Sequence, residues 1–179
     1  VMDKKMSYSY VDGDQYFTWS PDSKWLLAEY YPNERWVKEI GLFDVSAENK
    51  HINLTQSGYS ETHPKWSMEG NTMIFFSDKF GYRSHGSWGA ETDVMAMFFN
   101  RKSWEKFSLN EEETSLMKEL EKIEKEKNDS IAKAENKKEE PKKNDITPIE
   151  FEFDNIHDRT VRLTIHSSVP SDAYLNKDG

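Results

Sequence analysis

The sequence contains no cysteine, which excludes disulfides and thiolate metal sites and leaves the compartment open. It also lacks a basic excess: 33 acidic residues stand against 24 basic ones, a formal net charge of −9. Non-specific nucleic-acid binding needs a basic footprint, so that class is disfavoured. No apolar stretch approaches the roughly 20 residues of a membrane-spanning helix. The N-terminal VMDKKMSYSYVDGD has no apolar core of the kind a signal peptide requires.

Catalytic signatures are equally scarce. There is no H-E-x-x-H, no glycine-rich phosphate loop, and no i,i+4 pair among His51, His63, His85, His157 and His166. The stretch SHGSWG, Ser84 to Gly89, fails as a nucleophile elbow. That turn needs a residue between the first glycine and the serine, and here Gly86 abuts Ser87. His157 with Asp154 and Asp158 reads more simply as a polar turn than as a metal site. The acceptor patterns at Asn53 and Asn128 arise often by chance and carry no weight. No catalytic, cofactor-binding or metal-binding residue is assigned, and no cofactor is expected.

What the chain does have is aromatic residues, 13% of the total, against a mean hydropathy of −0.92. The two values conflict unless polarity is concentrated in one segment. At 179 residues one or two ordinary domains fit. Trp19-Ser20-Pro21-Asp22-Ser23 opens a tight turn, in which proline presets φ and the Asp side chain can bond the backbone two residues on. The shape returns 47 residues later as Trp66-Ser67-Met68-Glu69-Gly70, with Gly70 suited to a positive φ. A fainter third copy, DAYLNKDG, runs to Gly179.

Short apolar runs bounded by turn residues read as strands: Lys24 to Tyr30, Glu39 to Val45, Asn71 to Asp78 and Asp93 to Phe99. Phe43-Asp44-Val45 and Ala96-Met97-Phe98-Phe99 hold the same place in their two units. An insert from Lys79 to Thr92 lengthens the second unit, and Met2-Asp3 looks like the closing strand of an earlier one. A period of 40–50 residues with several strands per unit is the pattern of a β-propeller blade. The competing reading is two unrelated hairpins that share a turn.

From Glu111 to Asn144 aromatics vanish and charge dominates. Ser108 with Glu111, or Asn110 with Glu113, offers a capping box. Leu109, Leu116, Leu120 and Ile123 fall on one helical face, and Glu121 supports Lys125 at i,i+4. Beyond Asn128 the apolar face ends, which predicts a solvated linker. The heptads are too few for a coiled coil. β pattern resumes with Ile149, Phe151, Phe153 and again with Val161, Leu163, Ile165.

The expected fold class is all-β: a partial β-propeller, two full blades plus partial ones, with a charged helical linker. On this reading the chain is a fragment of a longer protein. Trp19, Ser20, Pro21, Asp22, Trp66, Ser67 and Gly70 are structural repeat positions. Trp36, outside the repeat, and Tyr82, Arg83, His85 and Trp88, in the insert, are the candidates for contact with a peptide or partner, since aromatics and arginine anchor such surfaces. The alternative is that the insert packs on its own blade or a neighbouring domain.

The WSPDSKW turn with its following strand and second copy resembles the TolB-like propeller repeats. The succession FFSDKFGYRSHGSWGAETDVMAMFF, charged helical linker, DRTVRLTIHSSVPSDAYLNKDG is similar to the N-terminal half of a tricorn-type serine peptidase. That resemblance covers essentially the whole chain. It implies a six-bladed and then a seven-bladed propeller ahead of a PDZ-like domain and a Ser/His catalytic core. Residues 1–107 would be the last blades of the first propeller, 108–147 the linker, and 148–179 strands crossing into the second. The charged linker departs from a compact propeller join. The resemblance implies oligopeptide substrates for the parent enzyme, with the remaining blades and catalytic core as partners in the same chain. The acidic balance and the lack of a long apolar run lead us to expect no nucleic acid and no membrane as partners, and a homo-oligomer of the parent is left open. The implied compartment is cytoplasmic, with a periplasmic setting as the alternative. The rival is a TolB-like scaffold that binds protein or peptide with no enzyme attached. A weaker third reading is a sugar-binding or lyase propeller using Trp36 and Trp88.

Overall fold

The computed structural model describes residues 15–32, 37–47, 50–85, 89–134 and 148–175. Eight strands form two four-stranded antiparallel sheets, each in simple sequential order. The first comprises β1 (Phe17–Trp19), β2 (Trp25–Tyr30), β3 (Glu39–Asp44) and β4 (His51–Asn53). The second comprises β5 (Glu61–Ser67), β6 (Thr72–Ser77), β7 (Asp93–Phe98) and β8 (Thr160–Arg162). Among the described residues two α-helices, α1 (Arg101–Phe107) and α2 (Glu111–Ala134), lie between β7 and β8.

The repeat is visible in the register. Trp19 stands opposite Leu26 in the first sheet, and Trp66 stands opposite Met73 in the second. The opening turn behaves as its chemistry predicts. Asp22 Oδ1 accepts from the Lys24 amide at 3.2 Å and from Ser20 Oγ at 2.6 Å, while Ser20 Oγ accepts from the Trp25 amide at 2.9 Å. In the second turn Gly70 takes φ +94°, and a Cβ there would lie 2.5 Å from Ile149 Cδ1. The positive φ favours glycine at that position, and any larger residue would also push the Ile149 side chain aside.

The sheets stack head to tail. Leu27, Ile40 and Leu42 of the first meet Met73, Phe75, Met95 and Met97 of the second in one buried cluster. By the 47-residue offset Leu26, not Leu27, matches Met73, so the second sheet presents the face that the first turns away. Trp66 fixes this contact: its indole packs on the cluster, and Nε1 donates to the Thr18 carbonyl at 3.2 Å. Its counterpart Trp19 is 50% exposed. The far face of the second sheet, with Ile74, Ala96 and Phe98, is covered by Trp104 and Phe107 of α1 and by Leu163, Ala173 and Leu175.

Three stretches differ from expectation. Ile149 and Phe151 do turn inward, and Phe151 packs against Trp25, Trp66 and Phe99 with ring centroids 5.0, 6.5 and 5.0 Å away. Yet residues 148–153 form no strand. They run across the seam between the sheets, held by the Glu152 amide on the Phe99 carbonyl at 2.8 Å. Thr160–Arg162, expected on a path to a further propeller, pairs with β7 and is the outer strand of the second sheet. Helix α2 runs past Asn128 to Ala134. Its N-terminus uses the Asn110 box: Asn110 Oδ1 accepts from the Glu113 amide at 2.8 Å, and Glu113 Oε2 from the Asn110 amide at 3.0 Å. Met2-Asp3 and residues 176–179 of the third turn copy lie outside the described residues.

Candidate functional site

β2 ends, β3 and β5 begin, β6 ends and β7 begins at one rim of the double sheet. The β2–β3 loop and the insert between β6 and β7 emerge there at equivalent places of the repeat. These are the loops that carry the sequence-level contact candidates. Beneath them lies a layer of buried carboxylates, Glu29, Glu39, Glu61 and Asp93, each fixed by long-range partners.

Glu29 serves a defect in β5. The register slips between Thr62 and Lys65, where Pro64 cannot donate to a ladder. The His63 amide freed by this bulge donates to Glu29 Oε1 at 2.7 Å, and Lys38 Nζ sits 2.7 Å from Oε2. Glu39 gathers the inter-sheet loop, accepting from Thr55 Oγ1, from the Ser57 amide at 3.2 Å and from the Gly58 amide at 2.9 Å. Asp93 accepts from Arg162 Nε at 2.9 Å, Thr164 Oγ1 at 2.8 Å and Ser167 Oγ at 2.9 Å. Burial alone would raise the Asp93 pKa, but these donors outweigh it and hold the carboxyl below its ordinary value.

Glu61 is the exception. Its Oε1 accepts from Ser57 Oγ at 2.5 Å and Ser77 Oγ at 3.1 Å. Its Oε2 is buried with no hydrogen-bond partner. Burial, aided by the negative charge of Glu39 and Asp78 and opposed by the two serines, pushes its pKa up to about 7.

Above this layer the insert folds as a small hairpin. Arg83 bridges Ala90, and the Glu91 amide donates to the Tyr82 carbonyl at 2.9 Å. A Cβ at Gly81 would lie 1.7 Å from the Glu91 carbonyl oxygen, so the hairpin demands glycine there. Arg83 is anchored, with Nη2 2.7 Å from Asp78 Oδ1 and its guanidinium 4.9 Å from the Tyr59 ring centre. Tyr82 stands 78% exposed, Phe80 is 50% exposed with Arg162 5.4 Å from its ring centre, and His85 is also exposed. Trp36, Trp88 and Ser87 lie outside the described residues.

The rim thus joins Tyr82, Arg83 and His85 on one loop and adds Phe80, Tyr59 and Arg162, which the sequence reading did not select. The buried acids were missed as well. Their signal was an acidic residue at the very end of an apolar run, as in AEY, KEI and TDV, a pattern that solvent-facing acids share. The arrangement can bind through aromatic faces and a held guanidinium. Among the described residues no hydrogen bond joins a serine hydroxyl to a histidine, and no three His, Asp or Glu side chains are placed to hold a metal. No helix among them is long and apolar enough to cross a membrane.

No family model matches the sequence, and no curated protein matches it. Among solved structures the chain is similar to "Crystal structure of the tricorn protease", at 10% identity and a TM-score of 0.45. The match covers 85% of this chain and 13% of that one.

Proposed function

We propose that the chain is a non-catalytic β-propeller segment whose two sheets are successive blades, and that its loop rim contacts oligopeptides handled by a tricorn-type serine peptidase. The observation that carries the propeller reading is the head-to-tail stacking of two sheets in one repeat register. Such stacking is heterologous, so it propagates to a ring or an open array. The peptidase reading rests on the sequence resemblance of the insert, linker and following strands. On it the catalytic serine, its base and its oxyanion donors belong to another part of the parent, and this chain supplies access and scaffold. The cytoplasm is the compartment that accompanies that resemblance.

The rim supports a binding role through Tyr82 and Phe80, exposed aromatics beside an arginine already fixed in place, since such residues dominate peptide and protein interfaces. A TolB-like scaffold with no enzyme attached would use the same rim. Two measurements test the proposal. The chain should show no turnover of fluorogenic oligopeptides, and turnover abolished by Ser87→Ala would defeat the non-catalytic role. A labelled oligopeptide library should bind, with Tyr82→Ala weakening the retained peptides about tenfold or more, as truncation of an interface anchor does. Binding indifferent to Tyr82→Ala and Phe80→Ala would remove the rim from the account.

A further inference from the structure

The far face of the second sheet repeats a face that the first sheet already puts to use. By the 47-residue offset Ile74 matches Leu27, and Ile74 pairs with Ala96 as Leu27 pairs with Leu42. Leu27 and Leu42 belong to the seam on which the second sheet packs. The cluster of Ile74, Ala96 and Phe98 instead receives the chain's own residues 163–175, through Leu163, Ala173 and Leu175. Polar ties hold the end of this segment to β5. Asp172 pairs with Lys65 Nζ, the same ammonium lies 4.2 Å from the Tyr174 ring centre, and Ser67 Oγ donates to the Leu175 carbonyl at 3.1 Å. Lys65 is the counterpart of Thr18, whose carbonyl receives the Trp66 indole. The segment therefore lies where the indole of a further sheet would land. It is lightly held, since exposed ion pairs contribute little. Beyond a bridge at Ser168 it forms no strand or helix, and Val169 and Tyr174 are 84% and 82% exposed. Helix α1 stacks on Phe98, whose counterpart Asp44 is not part of the seam.

We propose that residues 163–175 are a removable guard over a sheet-stacking face, and that the partner this face fits is the first sheet of a second copy of this chain. The repeat selects this occupant. β1 leaves Phe17 and Trp19 exposed on the side that corresponds to the Trp66 side of the second sheet. With the guard displaced, Trp19 of the second copy takes the Trp66 role: its indole packs beside Ile74 and donates to the Lys65 carbonyl. The new contact continues the seam inside the chain, one sheet further on. Such a contact is heterologous, so it extends to longer species wherever the next guard is also displaced. The inference rests on reading the two sheets as successive blades, and not on the rim or on any peptidase.

The test is sedimentation velocity of the full chain over a concentration series. The unaltered chain should stay monomeric. Ala173→Asp/Leu175→Asp puts charge under the guard, and Asp172→Ala/Tyr174→Ala cuts its surface ties while leaving the apolar cover in place. Both pairs should shift the chain to dimers and longer species, and circular dichroism checks that each keeps its sheets. The second pair decides the matter if the first fails to fold. Adding Trp19→Ala should weaken the association about tenfold or more, as loss of an interface anchor does. A synthetic peptide of residues 163–175, added in excess, should return the opened proteins to monomer. Monomer in the opened variants would overturn the guard and leave the blade reading intact. Association indifferent to Trp19→Ala would overturn the proposal and the blade reading with it. An unaltered chain that already associates through Trp19 would show that the segment guards nothing.

Discussion

At the scale of single residues, Glu61 is where structure and solution conditions meet. Its neighbours are fully engaged carboxylates, while its own Oε2 has no donor. With the folded pKa raised from 4.5 to about 7, the folded state holds a proton that the unfolded state has already released. Stability therefore falls as pH rises from about 4.5 to about 7 and levels off above, by roughly 3 kcal/mol at one pKa unit per 1.36 kcal/mol. Glu61→Gln removes this slope. Urea midpoints of the two proteins should converge near pH 5 and separate by pH 8, with the variant the more stable. Parallel curves across that range would contradict the assignment. Asp93 has the opposite sign: its depressed pKa contributes stability above the ordinary carboxylate range, lost as pH falls through the folded value.

At the scale of elements, α2 depends on its first turn. The reciprocal Asn110–Glu113 bonds satisfy two amides that the helix leaves without partners. Asn110→Ala should cost about 1 kcal/mol of local helix stability, read as faster amide exchange in Glu111–Ser115 with the sheets unchanged. That box was visible in the sequence as one of two alternatives, and the apolar runs of β2, β3, β6 and β7 were visible as strands. β1 and β4 were not, because three residues show no period. β5 was hidden by Pro64, which argues against a strand until the bulge and its Glu29 partner are seen. α1, at seven residues, is too short for a helical repeat to register, although Asn100 caps it with a 2.9 Å bond to the Ser103 amide. The carboxylate layer was illegible for a different reason. What makes an acid buried is a donor brought from elsewhere: the His63 amide for Glu29, Arg162 for Asp93, both far off in sequence.

At the scale of the whole molecule, one tryptophan joins what the repeat makes separate. Trp66 and Trp19 occupy the same register position, but among the described residues only Trp66 has a sheet to pack against. Trp66→Ala should destabilise the fold by about 3 kcal/mol, within the range for losing a packed aromatic, together with its bond to the Thr18 carbonyl. Trp19→Ala should change stability by less than about 1 kcal/mol, as surface substitutions do. Denaturant unfolding of both variants checks the pair, and equal losses would mean that the repeat position matters by itself, without the stacking.

The strand order of the second sheet also sets a timetable. β7 ends at Phe98, and its outer partner β8 begins only at Thr160, after both helices. At translation speeds of about 5–20 residues per second, some sixty residues separate the two on the ribosome by about 3 to 12 s. Throughout that interval β7 offers a bare edge, the feature through which strands recruit wrong partners. The local helices form within microseconds, long before β8 emerges, and α1 can lay Trp104 and Phe107 over Phe98 in the meantime. The helix covers the face of the nascent sheet while its edge waits.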